Sequence, residues 1–363
     1  MGEKNDSPAL FMHYPDLRKN VPWISLGSFP TPVSQLKNLG YDNLWIKHDD
    51  QTSPVYGGNK VRKLEFLLAD AIKKKARRVI TFGATGTNHG LATSIYSRKL
   101  GLDCTLLLFW QPVTKNVKRN LLLFKKYQAE TIYKKTVFKT LISFYLTQKI
   151  RHPGAYPIFA GGSNPIGAIG FVNAAFELKS QIERGHIPEP EIIICPAGST
   201  GTAAGLLLGS LLAGLKASIH AVRVTASHFG PFETCTSGSI QKLAQKTYEY
   251  LKTTCPDLPD VNIKPPKVLN DYFGEGYGQV TDKGKNAYRQ LKEKENIILD
   301  PTYTSKTFAA VLDYCTEPEN RNKPIVYWHT YNSVDMSEQA ESVDYRQLPE
   351  NLQKFIEAEE IDF

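Results

Sequence analysis

The sequence predicts an α/β fold with a largely parallel sheet. Short apolar runs alternate with stretches of helical period through most of the chain, and several of those runs end in small residues just before a helix starts. No internal repeat or low-complexity linker interrupts the pattern. At 363 residues, 41% hydrophobic and 22% charged, the chain has the length of one large or two medium globular domains. In order, the elements are a helix from Arg62 to Ala76, a strand RVITF (78–82), a helix from Asn88 to Leu100 and a strand CTLLLF (104–109). The segment 134–153, rich in lysine and aromatic residues, reads as a surface helix without recognisable chemistry. The glycine-rich FAGGSNPIGAIG (159–170) is the best candidate for a crossing between domains, because glycine tolerates the turns such a crossing needs. A helix from Ile166 to Arg184, a strand EIIIC (191–195), a helix from Thr202 to Gly214, a strand SIHAVRV (218–224) and a helix from Asp282 to Glu295 follow.

The charge balance excludes more than it suggests. The formal net charge is +8, but the cations are spread along the chain and no nucleic-acid motif frames them. The one dense run, Lys73 to Lys75 with Arg77 and Arg78, falls at the end of a helix, where cations complement the macrodipole. A mildly positive surface would also favour anionic small molecules. The five cysteines are scattered without a CxxC, which argues against a disulfide framework or a zinc site and fits a reducing cytosol. The first residues, MGEKNDSPAL, lack the pattern of a secretory signal, and Asp6 stands where myristoylation wants Ser or Thr. The longest apolar stretch, 203–215, is shorter than the roughly 20 residues a bilayer span requires, so no membrane role is expected.

Three segments carry chemistry. In IIICPAGSTGTAAGLLLG (192–209) a buried strand runs through Gly198-Ser199-Thr200-Gly201-Thr202 directly into an apolar helix. Backbone N–H groups and hydroxyls at a helix N-terminus form a phosphate cradle. Neither a Walker A lysine nor GxGxxG is present, which favours a single phosphate over a dinucleotide or triphosphate; an ordinary glycine-rich turn is the alternative. In VITFGATGTNHGLATS (79–94), Thr87-Asn88-His89 open a helix, where Thr87 or Asn88 is a cap or the N–H groups hold a carboxylate. In VYGGNKVRKLE (55–65), Lys60 follows a glycine turn, which alone reads equally as a basic first helical turn. Together, a phosphate cradle, a carboxylate site and a lysine on a glycine turn are what a pyridoxal 5'-phosphate enzyme acting on an amino acid needs, with Lys60 forming the Schiff base and later moving the Cα proton.

From Leu36 to His329, GGNKVRKLE, TNH, GGSNPIGAIG, AGSTGTAAG, GEGYG, LDPTYTSK and HT occur in order. The chain thereby resembles the pyridoxal-phosphate enzymes that include D-cysteine desulfhydrase and 1-aminocyclopropane-1-carboxylate deaminase. The resemblance implies the tryptophan synthase β-like fold (fold type II), two three-layer αβα open-sheet domains, with 1–62 and 165–363 forming the large cofactor-binding domain and 63–164 the small one. By the same resemblance, Asn88 bonds the cofactor's phenolic oxygen, and Ser199, Thr200, Gly201 and Thr202 surround its phosphate. Thr87, Asn88 and His89 are the substrate-carboxylate contacts, Tyr277 and Tyr303 flank the substrate, and Thr304 faces the pyridine nitrogen.

Thr304 separates the two named activities. The deaminases carry glutamate there, keeping the ring nitrogen protonated for cyclopropane opening; a threonine hydroxyl makes a weaker electron sink, sufficient for β-elimination. Thr330 points the same way, since the deaminases have leucine there and the desulfhydrases threonine. Three positions depart from the family pattern: Thr87 replaces a serine, Gly86 a glutamine, and Tyr331-Asn332 the glycines of HTGG. The expectation is a cytoplasmic lyase of small amino acids, a homodimer by analogy, binding neither nucleic acid, metal nor membrane. It would release pyruvate, ammonia and hydrogen sulfide from D-cysteine; alternatives are the cyclopropane deaminase, a lyase for another β-substituted alanine, or a catalytically silent cofactor-binding protein.

Overall fold

A computed structural model describes residues 7–229 and 232–361. The chain divides into two compact units, 1–66 with 163–333, and 67–162 with 334–363.

The first unit is built on a six-stranded sheet in the order Val33–Gln35, Leu44–His48, Ile325–His329, Ile192–Ala197, Ser218–Arg223, Lys267–Leu269. Every pairing is parallel except that between the first two strands. Side chains alternate along these strands, so Ile193, Cys195, Val326 and Trp328 join one apolar cluster while Ile192, Ile194, Ile325 and Tyr327 join another. Helices Pro165–Glu183, Gly201–Leu212 and Ser237–Thr254 cover the first face, and Asp282–Glu295 and Thr304–Thr316 the second, giving three layers. The expected strands and helices here lie within one to two residues of their expected ends.

Two central strands, Leu44–His48 and Ile325–His329, escaped the sequence reading, and for the first the reason is polar. Leu44–His48 buries Lys47 and His48, which breaks its apolar pattern. The Lys47 ammonium donates to Glu177 and to Gln181 Oε1, and Arg62 forms ion pairs with both Asp49 and Glu177. Trp328 Nε1 donates to the same Asp49 carboxylate at 2.7 Å. Two cations and two carboxylates thus neutralise one another in the core, as buried charges must.

The second unit carries a four-stranded parallel sheet, Glu130–Lys135, Asp103–Phe109, Arg78–Ala84, Tyr156–Pro157. Helix Asn88–Lys99 starts on the Thr87 cap, and helix Lys115–Lys126 on Thr114. The helix containing the GGNK lysine spans Lys60–Lys73, earlier at both ends than expected; Lys75 beyond it takes the left-handed conformation, at φ 57°. Residues 334–363 group with this unit, unlike the expected division that kept them in the larger one. The physical reason is an amphipathic helix, Glu350–Glu357, which buries Leu352 and Phe355 and sets Phe355 edge-on to Tyr133. Ile361 N then donates to Val113 O.

Candidate active site

The GGNK turn is shaped by backbone crowding. Gly58 sits at φ 90°, where a side chain is strained, and a Cβ on Gly57 would stand 2.0 Å from Asp50 O. Gly58 N donates to Asp49 O and Asn59 N to Thr330 O, so the turn hangs from the ends of two central strands. Lys60, partly exposed, is then the first residue of its helix, and its amine donates to Asn59 Oδ1 at 2.8 Å. Asn59 in turn donates to Thr202 Oγ1 at 3.1 Å, coupling the lysine turn to the glycine-rich turn after strand Ile192–Ala197. Desolvation lowers the Lys60 ammonium to about 8, against the opposing pull of the Asp300 carboxylate.

The second turn has the shape of an anion cradle. Thr200 adopts φ 67°, turning the chain sharply into the 12-residue helix Gly201–Leu212. Gly201 N meets Ser163 Oγ at 3.1 Å, and Ser163 donates to Ser199 Oγ at 2.9 Å. A Cβ on Gly201 would lie 2.6 Å from Ser163 Oγ and 2.9 Å from Lys63 Nζ. The buried Lys63 amine therefore stands at this helix N-terminus, and desolvation with neighbouring Lys60 holds it well below the ordinary lysine range. Sequence reasoning missed Lys63. Its signal was the spacing KVRK, which sets positions 60 and 63 on one helical face.

Tyr303 and Tyr277 share a hydrogen bond between their phenol oxygens, with rings at 77° and centroids 6.1 Å apart. A Cβ on Gly198 would come within 3.1 Å of the Tyr303 ring, so the ring lies over the cradle turn. Burial pushes Tyr277 up to about 12, with its bond to Tyr303 opposing, and raises Tyr303 well above the usual phenol range. Both phenols are neutral at physiological pH. The Asp300 carboxylate accepts from the backbone N–H groups of Thr302, Tyr303 and Thr304, fixing the start of helix Thr304–Thr316. Thr304 Oγ1 donates to Asp300 Oδ1 at 2.7 Å and accepts from Asp300 N at 2.7 Å. Its single proton is thereby committed. Lys306 donates to Phe273 O at 2.6 Å, tethering the loop that carries Tyr277.

The altered HTYN corner has a structural use. Asn332 Oδ1 accepts from Gly57 N at 2.6 Å, so the side chain that departs from the HTGG pattern braces the lysine turn. Tyr331 is buried.

Within the second unit, Thr87 is the cap, its Oγ1 accepting from Gly90 N at 3.1 Å. Asn88 Oδ1 accepts from Asn120. The His89 ring is buried and meets Thr81 Oγ1 at 3.0 Å, leaving its backbone rather than its ring at the helix start. Gln111 Oε1 accepts from Gly86 N, supplying an amide side chain beside the position where the family pattern has glutamine.

The decisive comparison is with family models. Residues 24–330 match the model described as "Pyridoxal-phosphate dependent enzyme". The chain belongs to this family. Relatives are similar over nearly their whole length. A protein of Pyrococcus furiosus called "Putative 1-aminocyclopropane-1-carboxylate deaminase" is 34% identical over 326 residues, covering 86% of this chain and 93% of its own. A "D-cysteine desulfhydrase" of Salmonella newport is 32% identical over 324 residues, covering 85% and 93%. A crystal structure of an "ACC deaminase homologue" superposes with a TM-score of 0.74 at 29% identity, covering 93% of this chain and 99% of that one. Serine racemase from Dictyostelium discoideum, at 18% identity and a TM-score of 0.58 over 90% of this chain and 98% of its own, shares the fold. The fold is therefore the fold type II architecture of pyridoxal-phosphate enzymes.

The residues present suit the family's cofactor. A cradle of N–H groups and hydroxyls with a lysine amine beside it matches a phosphate monoester, and a second lysine of lowered basicity matches an aldehyde. One expectation follows from the Lys60 value of about 8. Only the neutral amine attacks an aldehyde, so the rate at which apoprotein takes up pyridoxal phosphate should rise about tenfold per pH unit below 8 and level off above it. Rapid-mixing absorbance across a pH series would show this; a flat profile would place the ammonium elsewhere.

Proposed function

We propose that this enzyme is a carbon–sulfur lyase that converts D-cysteine and water to pyruvate, ammonia and hydrogen sulfide. The observation that carries the choice is Thr304: a hydroxyl, not a carboxylate, occupies the position where the family pattern sets an acid in the cyclopropane deaminases. Thr330 supports the same reading.

In this reading Ser199, Thr200, Gly201 and Thr202, with Lys63, hold the cofactor phosphate, and Asn88 its phenolic oxygen. Pyridoxal phosphate, when bound through Lys60, supplies the electron sink that acidifies the substrate Cα–H. The N–H groups of the helix start at Thr87, Asn88 and His89 bind the substrate carboxylate. Lys60 takes the Cα proton, a task suited to an amine whose basicity desolvation has brought near neutral pH. The Tyr277–Tyr303 pair remains protonated and offers a phenol hydrogen bond to the departing sulfur.

A second reading has its own support, since relatives at 34% and 36% identity are named for cyclopropane deaminase activity. That reaction would release 2-oxobutyrate and ammonia. Steady-state assays with D-cysteine, L-cysteine, β-chloro-D-alanine and 1-aminocyclopropane-1-carboxylate distinguish the two by the keto acid formed. The expected result is pyruvate and sulfide from D-cysteine, with cyclopropane turnover lower by about a hundredfold or more. Predominant 2-oxobutyrate formation would replace the reading with the second. Holoprotein that turns over none of the panel would reject both.

A further inference from the structure

The segment 137–151 exposes several large apolar side chains while it buries polar ones. It runs as helix Val137–Ile142, a π-helical turn Ser143–Thr147 and helix Gln148–Arg151. Thr140, Ser143 and Gln148 are buried together with Phe144, which packs on Phe82. The outward positions include Phe138, Ile142, Tyr145, Leu146 and Ile150 alongside Lys139, Thr147 and Lys149, with Phe138 and Leu146 each 62% exposed and Ile150 83%. An ordinary surface helix distributes its residues the other way. Phe138, Ile142, Leu146 and Ile150 follow one another at four residues and Tyr145 stands three after Ile142, which collects them into one stripe, so they are a patch and not isolated exposed side chains.

The charged residues of the segment itself, Lys139, Lys149 and Arg151, are all cationic. Lys135, Lys139 and Lys149 are exposed, and no Asp or Glu occurs between Glu130 and Glu177. The segment is also well anchored at both ends. Thr136 caps its start, and Arg151 pairs with Glu130 at 2.8 Å.

We propose that this face docks on an anionic lipid surface, the helix lying in the interfacial plane with its apolar stripe inserted and its lysines at the lipid phosphates. Charge decides the occupant. A second copy meeting this face across a two-fold axis would bring the same lysines together, and a stable protein interface takes about 800 Å² from each partner, more than a single stripe of five side chains provides. No helix among the described residues is long and apolar enough to cross a membrane, so contact is peripheral. This departs from the absence of a membrane role expected from sequence, which considered only spanning segments and lipidation. It is independent of the reaction catalysed.

The test is cosedimentation of the full-length holoprotein with vesicles of phosphatidylcholine and phosphatidylglycerol, and with phosphatidylcholine alone. Association with the mixed vesicles is expected, weaker by about tenfold on the neutral ones and falling as salt rises. The triple variant Ile142→Gln, Leu146→Gln, Ile150→Gln should lose about tenfold in association while keeping its melting temperature and turnover. Lys139→Glu with Lys149→Glu, which changes only exposed charges, should lose association as well. No binding to mixed vesicles, or equal binding by both variants, overturns the proposal. So does sedimentation velocity showing self-association that the triple variant abolishes without any vesicle binding, because the stripe would then belong to a second copy.

Discussion

Lys60→Ala is expected to remove the visible absorbance of the holoprotein and to lower turnover by about a thousandfold or more. The variant deletes one amine and leaves the scaffold around it intact. The turn before Lys60 is held by backbone bonds from Gly58 to Asp49 and from Asn59 to Thr330, and by Asn332 on Gly57, none of which uses the lysine side chain. Asn59 loses its bond from the Lys60 amine but keeps its own donation to Thr202. The cradle with Lys63 is likewise untouched, so pyridoxal phosphate should still bind non-covalently, measurable by equilibrium dialysis with the free-aldehyde spectrum. A small primary amine in the medium should restore part of the turnover if Lys60 serves as the proton carrier. A variant that keeps the bound-cofactor band would show that another amine, Lys63 being nearest in sequence, carries the attachment.

What the sequence revealed and what it concealed follow one rule. Features made by neighbours in the chain were legible: the glycine turn before Lys60, the small residues from Gly198 to Thr202, the Thr87 cap. Features made by distant partners were not. Lys63 reads as a solvated lysine in a first helical turn, and only the tertiary fold buries it at the cradle. Strand Leu44–His48 contains a lysine whose partner Glu177 lies 130 residues away, so its polarity masked it. Thr304 was legible as a hydroxyl in place of an acid, but not its engagement with Asp300, which satisfies both its donor and one of its acceptor sites. The C-terminal residues carried no motif, and their grouping with 67–162 depends on the buried faces of Leu352 and Phe355. The 134–153 segment was read as a surface helix from its lysines, while the outward aim of its apolar residues is a fact of packing.

Glu177→Gln is expected to be the most destabilising single change in the first unit, costing about 3–5 kcal/mol. The carboxylate accepts from Lys47 and Arg62 and also from Thr31 N and Oγ1. Burial alone would raise its pKa, but Arg62 and Lys47 outweigh burial and hold it at about 2. Glutamine preserves the size and some hydrogen bonds but leaves two buried cations facing Asp49 alone. The melting temperature should fall by roughly 10 °C, against no measurable change for the exposed Glu183→Gln. The same group sets an acid limit. Its folded pKa lies below the unfolded carboxylate value of about 4.5, so its contribution is complete above that pH and is lost as pH falls toward 2. Wild-type stability, measured by urea unfolding, should therefore drop steeply between these values, and the drop should be shallower in Glu177→Gln. Equal slopes would mean that the proton uptake responsible lies outside this network. Because Arg62 stands two residues beyond Lys60 on the same helix, the variant should also load pyridoxal phosphate more slowly, linking the neutralisation of the core to the placement of the reactive amine.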